Sequence, residues 1–264
     1  MIPKIIHYCW IGGAPLPELA KKCIESWKKC CPDYEIKEWN ESNYDFTQNV
    51  YMKEAYEAKK WGFVSDYARL DIIYRYGGFY LDTDVELLKS LDPFCTEKFY
   101  MGCEAREAVS TGLGFGAEQG TPLLKEMMDS IYGDRHFICK DGSLDVTPSP
   151  RLNTNFLREK GLRLDGSIEK LDCGMTIYPA EYFAPKDFKT GQVVLTDKTY
   201  SIHHYDASWM EPEDKQVLRI KWAMEKYKGV GKIVTYTSTK LLGLKRHLRM
   251  QGLQGTIQYI RDKR

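Results

Sequence analysis

The sequence predicts an α/β fold, a sheet flanked by helices, followed by a short helical extension. Three observations predict it. Apolar runs of strand length alternate with stretches of helical period. A chain of 264 residues, 43% hydrophobic and without low-complexity tracts or internal repeats, suits one large domain. The charge also changes sign along the chain. Residues 229–264 carry +7, which leaves about −6 on residues 1–228. The expected organisation is therefore a main domain over 1–228 and a basic helical tail over 229–264.

Taken in order, Lys4 to Trp10 reads as the first strand and Ile11 to Pro17 as a Gly/Pro loop. Glu18 to Cys31 reads as a helix with Leu19, Cys23, Ile24 and Trp27 at helical spacing, stopped by Pro32. Tyr34 to Asn40 is then a second strand, which completes a β-α-β unit with a right-handed crossover. Such sheets bind ligands at the carboxyl ends of their strands, so His7 to Gly13 lies at a candidate site mouth. Residues 50–61 read as helical. A further helix is expected to start at Ser65 as N-cap and to stop at Gly77-Gly78, with Tyr67, Leu70, Ile73 and Tyr74 as its apolar stripe. Asp66 and Arg69, three apart, share a face of it, the spacing of an ordinary surface ion pair.

Beyond the glycines, Phe79-Tyr80-Leu81 reads as a strand, which puts Asp82 and Asp84 at i and i+2 of extended chain and on one face. Two like charges there repel unless one takes a proton or both share a cation. Magnesium or manganese is the simpler remedy, since hard cations take one or two carboxylates and leave positions for phosphate and water. With 18 aspartates in 264 residues the bare pattern arises about once by chance, so its context decides. A strand follows near Phe99 to Glu104, then a glycine-broken segment from Thr111, and a helix from Pro122 to Tyr132. The loop from Gly133 to Arg151 is long enough to be functional or mobile. Strands are expected near Met175 to Pro179 and Thr199 to Trp209, then a helix from Pro212 to Tyr227 and two short tail segments broken at Gly252 and Gly255. The late strand carries His203, His204, Ser208 and Trp209. Adjacent strand residues face opposite ways, so at most one of the two histidines should reach a metal.

The eight cysteines show neither paired metal spacing nor a small secreted frame and read as reduced packing thiols. No apolar run approaches a membrane span or a signal peptide, so a cytoplasmic protein is expected, either free or peripheral on the inner face of the cell membrane. The basic tail suits an anionic membrane surface, and no nucleic-acid partner is expected.

The ordered motifs "IPKIIHYCWIG", "FVSDYARLDIIYRYGGFYLDTDV" and "HHYDASW" resemble the family 32 glycosyltransferases, and more distantly the glucosyltransferase domains of large clostridial toxins. The resemblance covers residues 2–86 and 202–209. It implies a GT-A fold with a Rossmann-like mixed sheet, Mn2+ or Mg2+, retention of anomeric configuration, and a nucleotide-sugar donor, with a UDP-sugar favoured over a GDP-sugar. It also implies a saccharide or lipid-linked saccharide acceptor in surface polysaccharide synthesis. Carried over by position, Trp10 would stack on the base, Asp66 and Arg69 would bind the donor sugar, and Tyr80 would lie near the ribose. Asp82 and Asp84 would serve ribose and metal, His203 or His204 would be the third ligand, and Ser208 and Trp209 would close over the diphosphate. Asp172 and Glu118 stand as possible nucleophiles against a front-face route.

Three rivals fit less well. A phosphatase with Asp-x-Asp wants Thr or Val where Glu86 stands. A glycoside hydrolase needs carboxyls on opposite sides of the scissile bond. A non-catalytic sugar-binding module has no need of Asp66, Arg69 and two metal carboxylates together.

Overall fold

The computed structural model describes residues 1–104, 108–206, 210 and 212–262, with backbone alone for 228, 247 and 253–262. The chain divides into two compact units, residues 1–186 with 194–205, and residues 187–193 with 206–264.

The first unit has the mixed sheet expected of a GT-A fold, flanked by helices. Strand β1 (Ile5–Cys9), helix α1 (Glu18–Cys30) and strand β2 (Glu35–Trp39) form the β-α-β unit, with β1 parallel to β2. Helices α2 (Val50–Glu57) and α3 (Trp61–Tyr76) lead to β3 (Gly78–Tyr80) and the short β4 (Val85–Leu87). Next come β5 (Phe99–Glu104), β6 (Ala108–Ser110), β7 (Phe115–Ala117), α4 (Pro122–Tyr132) and α5 (Ser149–Arg158). They are followed by β8 (Glu169–Lys170), β9 (Thr176–Tyr178), α6 (Ala180–Phe183) and β10 (Ser201–His203). The main sheet runs β2-β1-β3-β7-β5-β9-β8 with β6 on β5, while β4 and β10 form a separate antiparallel pair. Parallel pairing of β1 with β2 and β3, and of β5 with β9, beside antiparallel β3-β7 and β5-β7, makes the sheet mixed.

Strand alternation divides the core in two. Phe99, Met101 and Cys103 of β5 join the cluster under α2 to α5, whereas Tyr100 joins the cluster that contains Cys23, Ile24 and Trp27 of α1. Burying each such large side chain contributes about 1.5–3 kcal/mol.

Two expectations are corrected here. Helix α3 begins at Trp61, not Ser65, because Gly62 is tolerated in a first turn otherwise held by Lys60 as N-cap. Ser65 instead lies a turn inside and donates its hydroxyl to the Gly62 carbonyl at 2.9 Å. The end of the long loop is also helical. Pro148 and Pro150 stand where a helix start tolerates proline, and α5 runs from Ser149. The loop before it is pinned, since Glu54 of α2 accepts from the Phe137 and Ile138 amides at 2.7 and 2.9 Å. The cysteines are free thiols, six of them buried or half-buried as packing groups and two, Cys139 and Cys173, exposed.

The second unit contains α7 (Pro212–Met224) and α8 (Lys228–Asp262), and the backbone of α8 breaks at Gly252, where φ is 68°. The indole of Trp222 donates to the Phe188 carbonyl at 2.9 Å.

Strand β3 is set by His7. The ring is fully buried and neutral: its Nδ1 accepts from the Trp39 indole at 3.0 Å, and its Nε2 donates to the Gly77 carbonyl at 2.9 Å. Gly77 and Gly78 adopt φ of 66° and 101°, and a Cβ at Gly78 would fall 2.7 Å from the Ile5 carbonyl oxygen, so only glycine lets the chain turn this close to β1. Burial lowers the His7 pKa to about 4. The unfolded ring therefore binds a proton more readily than the folded one, and stability falls as pH drops from 6.5 to 4. The loss over that window should be about 3 kcal/mol. In urea titrations at pH 7 and pH 4, His7→Gln should lose less between the two pH values than wild type. Equal losses would show that His7 is not the titrating group.

Candidate active site

The site forms where β1 and β3 end side by side. The register pairs His7 with Tyr80, and the Leu81 amide donates to the His7 carbonyl at 3.1 Å. The chain then leaves the sheet. Asp82 and Asp84 do not lie on a strand, as the extended reading had it. The Asp82 amide is taken by the Gly112 carbonyl at 3.1 Å, and the Val85 amide returns to the Asp82 carbonyl at 3.0 Å, so a tight turn brings the carboxylates together.

The third group arrives by register. Antiparallel β4 and β10 pair Val85 with His203, which sets the imidazole beside Asp84, with Nε2 3.2 Å from Oδ1. Ligand atoms of Asp82, Asp84 and His203 all lie within 4.8 Å of one another, and Nδ1 of His203 is buried without a protein partner among the described residues. Two carboxylate oxygens and one imidazole suit a divalent cation. Burial alone would lower the His203 pKa, but Asp84, then Glu104 and Asp82, outweigh it and raise it to about 9. Binding a cation through this ring therefore releases a proton. His204 faces the other way, as strand alternation requires, and its Nε2 meets Glu86 at 2.8 Å.

Beside the cluster lies a buried ion group. Arg69 is 5% exposed and Asp66 7%, so they are not the surface pair their spacing alone suggests. The Arg69 guanidinium lies 3.1 Å from Asp66 and 3.5 Å from Asp82, donates to the Ser65 carbonyl at 2.9 Å and hydroxyl at 2.8 Å, and stacks 5.2 Å over the Tyr80 ring. Burial raises the Asp66 pKa to about 6 against the opposing pull of Arg69 and of the Ser149 hydroxyl, which donates to it at 2.7 Å.

The other expected residues fall as follows. Trp10 stands at the end of β1, half-buried, with its indole donating to the Ala14 carbonyl at 2.5 Å. Tyr80 is 1% exposed and lies under the Arg69 guanidinium. Ser208 and Trp209 lie outside the described residues. Glu118 is engaged by the N-terminal amine, and Asp172 is exposed.

Sequence reasoning missed six residues. Thr111 and Gly112 face Arg69 and Asp82, Asn153 donates to Thr111 at 3.5 Å, and Ser149 holds Asp66. Glu104 is raised by burial and sits in the field of His203, Asp82 and Asp84, while Lys186, lowered by burial, sits in the field of Asp84. The length of the 133–151 loop was the signal for Ser149. Single acids and lysines elsewhere carried none.

A Cβ at Gly112 would lie 2.2 Å from Asp82 Oδ2, so Gly112→Ala must move the carboxylate. We expect it to weaken manganese binding about tenfold, as a shifted ligand does, and to lower the urea midpoint, because the same carboxylate faces the buried Arg69. Unaltered metal affinity would remove Asp82 from the ligand set.

Residues 17–100 match the family model described as "Glycosyltransferase sugar-binding region containing DXD motif". Inositol phosphoceramide mannosyltransferases 3 and 1 of Schizosaccharomyces pombe are 30% and 27% identical over 141 and 149 residues, which are 49% and 52% of this chain and 37% and 45% of those proteins. An uncharacterized glycosyltransferase of Acanthamoeba polyphaga mimivirus is 32% identical over 38% of this chain and 42% of its own length. The chain thus spans less than half the length of these relatives. Among solved structures, PaToxG glycosyltransferase aligns with a TM-score of 0.45 at 20% identity over 60% of this chain and 69% of that one. A glycosyltransferase involved in glycosylation of the major capsid of PBCV-1 aligns with 0.43 at 14% identity over 83% and 100%. Likenesses this loose leave the chemistry to the residues of the site. The Asp82-Thr83-Asp84 turn lies inside the segment, residues 17–100, that is similar to the sugar-binding region of the DXD glycosyltransferases.

Proposed function

We propose that the protein is a metal-dependent, retaining hexosyltransferase that moves a sugar from a nucleotide-sugar, with a UDP-sugar ahead of a GDP-sugar, to a saccharide or lipid-linked saccharide acceptor in surface polysaccharide synthesis. The observation that carries this reading is the convergence of Asp82, Asp84 and His203 beside the buried Asp66–Arg69 pair. The names of the relatives, mannosyltransferases of inositol phosphoceramide, support a hexose donor and an acceptor borne on a lipid. The reaction takes place in the cytoplasm or at the inner face of its membrane.

Asp82, Asp84 and His203 would hold a Mn2+ or Mg2+ ion, which when bound would supply Lewis-acid neutralisation of the departing diphosphate. The residues of the chain do the rest. Trp10 offers a ring face to the base, held in place by its bond to Ala14. Asp66 and Arg69, fixed by Ser149 and Ser65, read sugar hydroxyls by accepting from one and donating to another. Lys186, beside Asp84, adds positive charge near the phosphates. In the front-face route, the acceptor oxygen bonds to the anomeric carbon as the diphosphate leaves from the same face. The leaving oxygen takes the acceptor proton.

Donor hydrolysis with added manganese, assayed with UDP- and GDP-hexoses, tests the reading. A binding module would release no nucleotide diphosphate under any of these conditions. Asp84→Asn should lower turnover about 100-fold or more while the protein stays folded, as removal of transition-state charge stabilisation does. Full activity in that variant overturns the metal site. Trp10→Ala should raise the donor KM about tenfold with kcat little changed, in line with base stacking of about 1–3 kcal/mol. Unchanged KM would remove Trp10 from the donor site.

A further inference from the structure

The second unit carries a surface that sugar transfer does not use. Helix α8 turns two arginines towards α7: Arg249 donates to Glu213 at 2.9 Å and Arg246 to Asp214 at 2.7 Å. Lys240 and Lys245 form no salt bridge among the described residues, although Lys245 stands in the field of Glu213, and Asp262 is the single acid in 229–264.

A line of apolar side chains occupies another face of the helix. Val230, Ile233, Leu241 and Leu248 follow one another at intervals of three, eight and seven, so they project from one side. They are 66%, 67%, 64% and 42% exposed. Lys240 and Lys245 adjoin this line at its two edges. Scattered exposed apolar residues need no explanation, but four in line over five turns, edged by lysines, form a surface made for a partner.

We propose that this face of α8 lies on an anionic lipid surface, with Val230, Ile233, Leu241 and Leu248 in the headgroup–acyl boundary and Lys240 and Lys245 over the phosphates. Charge complementarity selects this occupant. A second copy of the chain would set lysine edge against lysine edge, which opposes self-association. Among the described residues no helix is long and apolar enough to cross a membrane, and the proposed contact is in the plane of the interface. The proposal rests on α8 alone. The sugar-transfer reading gives it a use, because a lipid-borne acceptor is presented at that surface.

The test is co-sedimentation of the full chain with vesicles of phosphatidylcholine, with and without 30% phosphatidylglycerol (a composition of about the usual anionic content). The protein should pellet with the anionic vesicles at low salt, should not pellet with the neutral ones, and should be released as salt rises. Lys240→Glu with Lys245→Glu should weaken partition at least about tenfold, and Ile233→Ser with Leu241→Ser should abolish it, both with donor hydrolysis unchanged. Equal pelleting of the charge-reversed variant, or of wild type with neutral vesicles, overturns the proposal. So does a wild-type dimer that becomes monomeric in the serine variant while vesicle binding persists. Loss of donor hydrolysis in the intact chain would count against the transfer reading and leave the lipid contact standing.

Discussion

The site depends on one buried cation. Arg69 has nowhere to discharge its proton and no water to solvate it, so it can be buried only because Asp66, Asp82, the Ser65 carbonyl and the Ser65 hydroxyl surround it. That requirement joins three stretches of chain: Asp66 and Arg69 come from one turn of α3, Asp82 from the turn after β3, and Thr111 from the segment before β7. Withdrawing one partner from such a group costs about 3–5 kcal/mol, because the remaining charge stays buried. The same residues that hold the fold at this point are therefore those that present charge to a ligand.

Around Arg69, each side chain of the site is aimed by backbone geometry rather than by its own flexibility. His7 fixes the approach of α3 to β1 through the Gly77 carbonyl, and the Leu81 amide returns to His7, so the aspartate turn starts from a rigid point. The β4–β10 ladder then delivers His203 to Asp84 from more than a hundred residues away. A metal centre built this way needs little reorganisation on binding, since its carboxylates and imidazole are already within reach of one ion.

Helix α5 belongs to the same logic. Its N-terminal Ser149 donates to Asp66, and Asn153 one turn on faces Thr111, so the helix that follows the long loop closes over one side of the pair. The Glu54 bonds that pin the loop at Phe137 and Ile138 tie this closure back to α2. In the second unit, Glu213 and Asp214 select which basic residues of α8 are neutralised, and so which of its faces remains charged.

Local signals in the sequence determined much of this. The β-α-β start was legible because Lys4 to Trp10, Glu18 to Cys31 and Tyr34 to Asn40 carry their own periodicity and stop at a proline. The glycine pair, the Asp-x-Asp and the alternation of His203 with His204 are likewise short-range facts, and the break at Gly252 follows from glycine alone. Tertiary structure decided what depended on distant chain. Asp66 and Arg69 have the spacing of a surface pair, and only the closure of the 133–158 segment and the turn at Thr111 over them makes them buried. Asp82 and Asp84 read as strand neighbours until the Gly112 carbonyl captured the Asp82 amide and turned the chain, and no spacing in the sequence announces the stacking of Arg69 over Tyr80. Glu104, Lys186 and Asn153 have no local signature, because a single polar residue acquires a role only from the field and the partners that folding places around it.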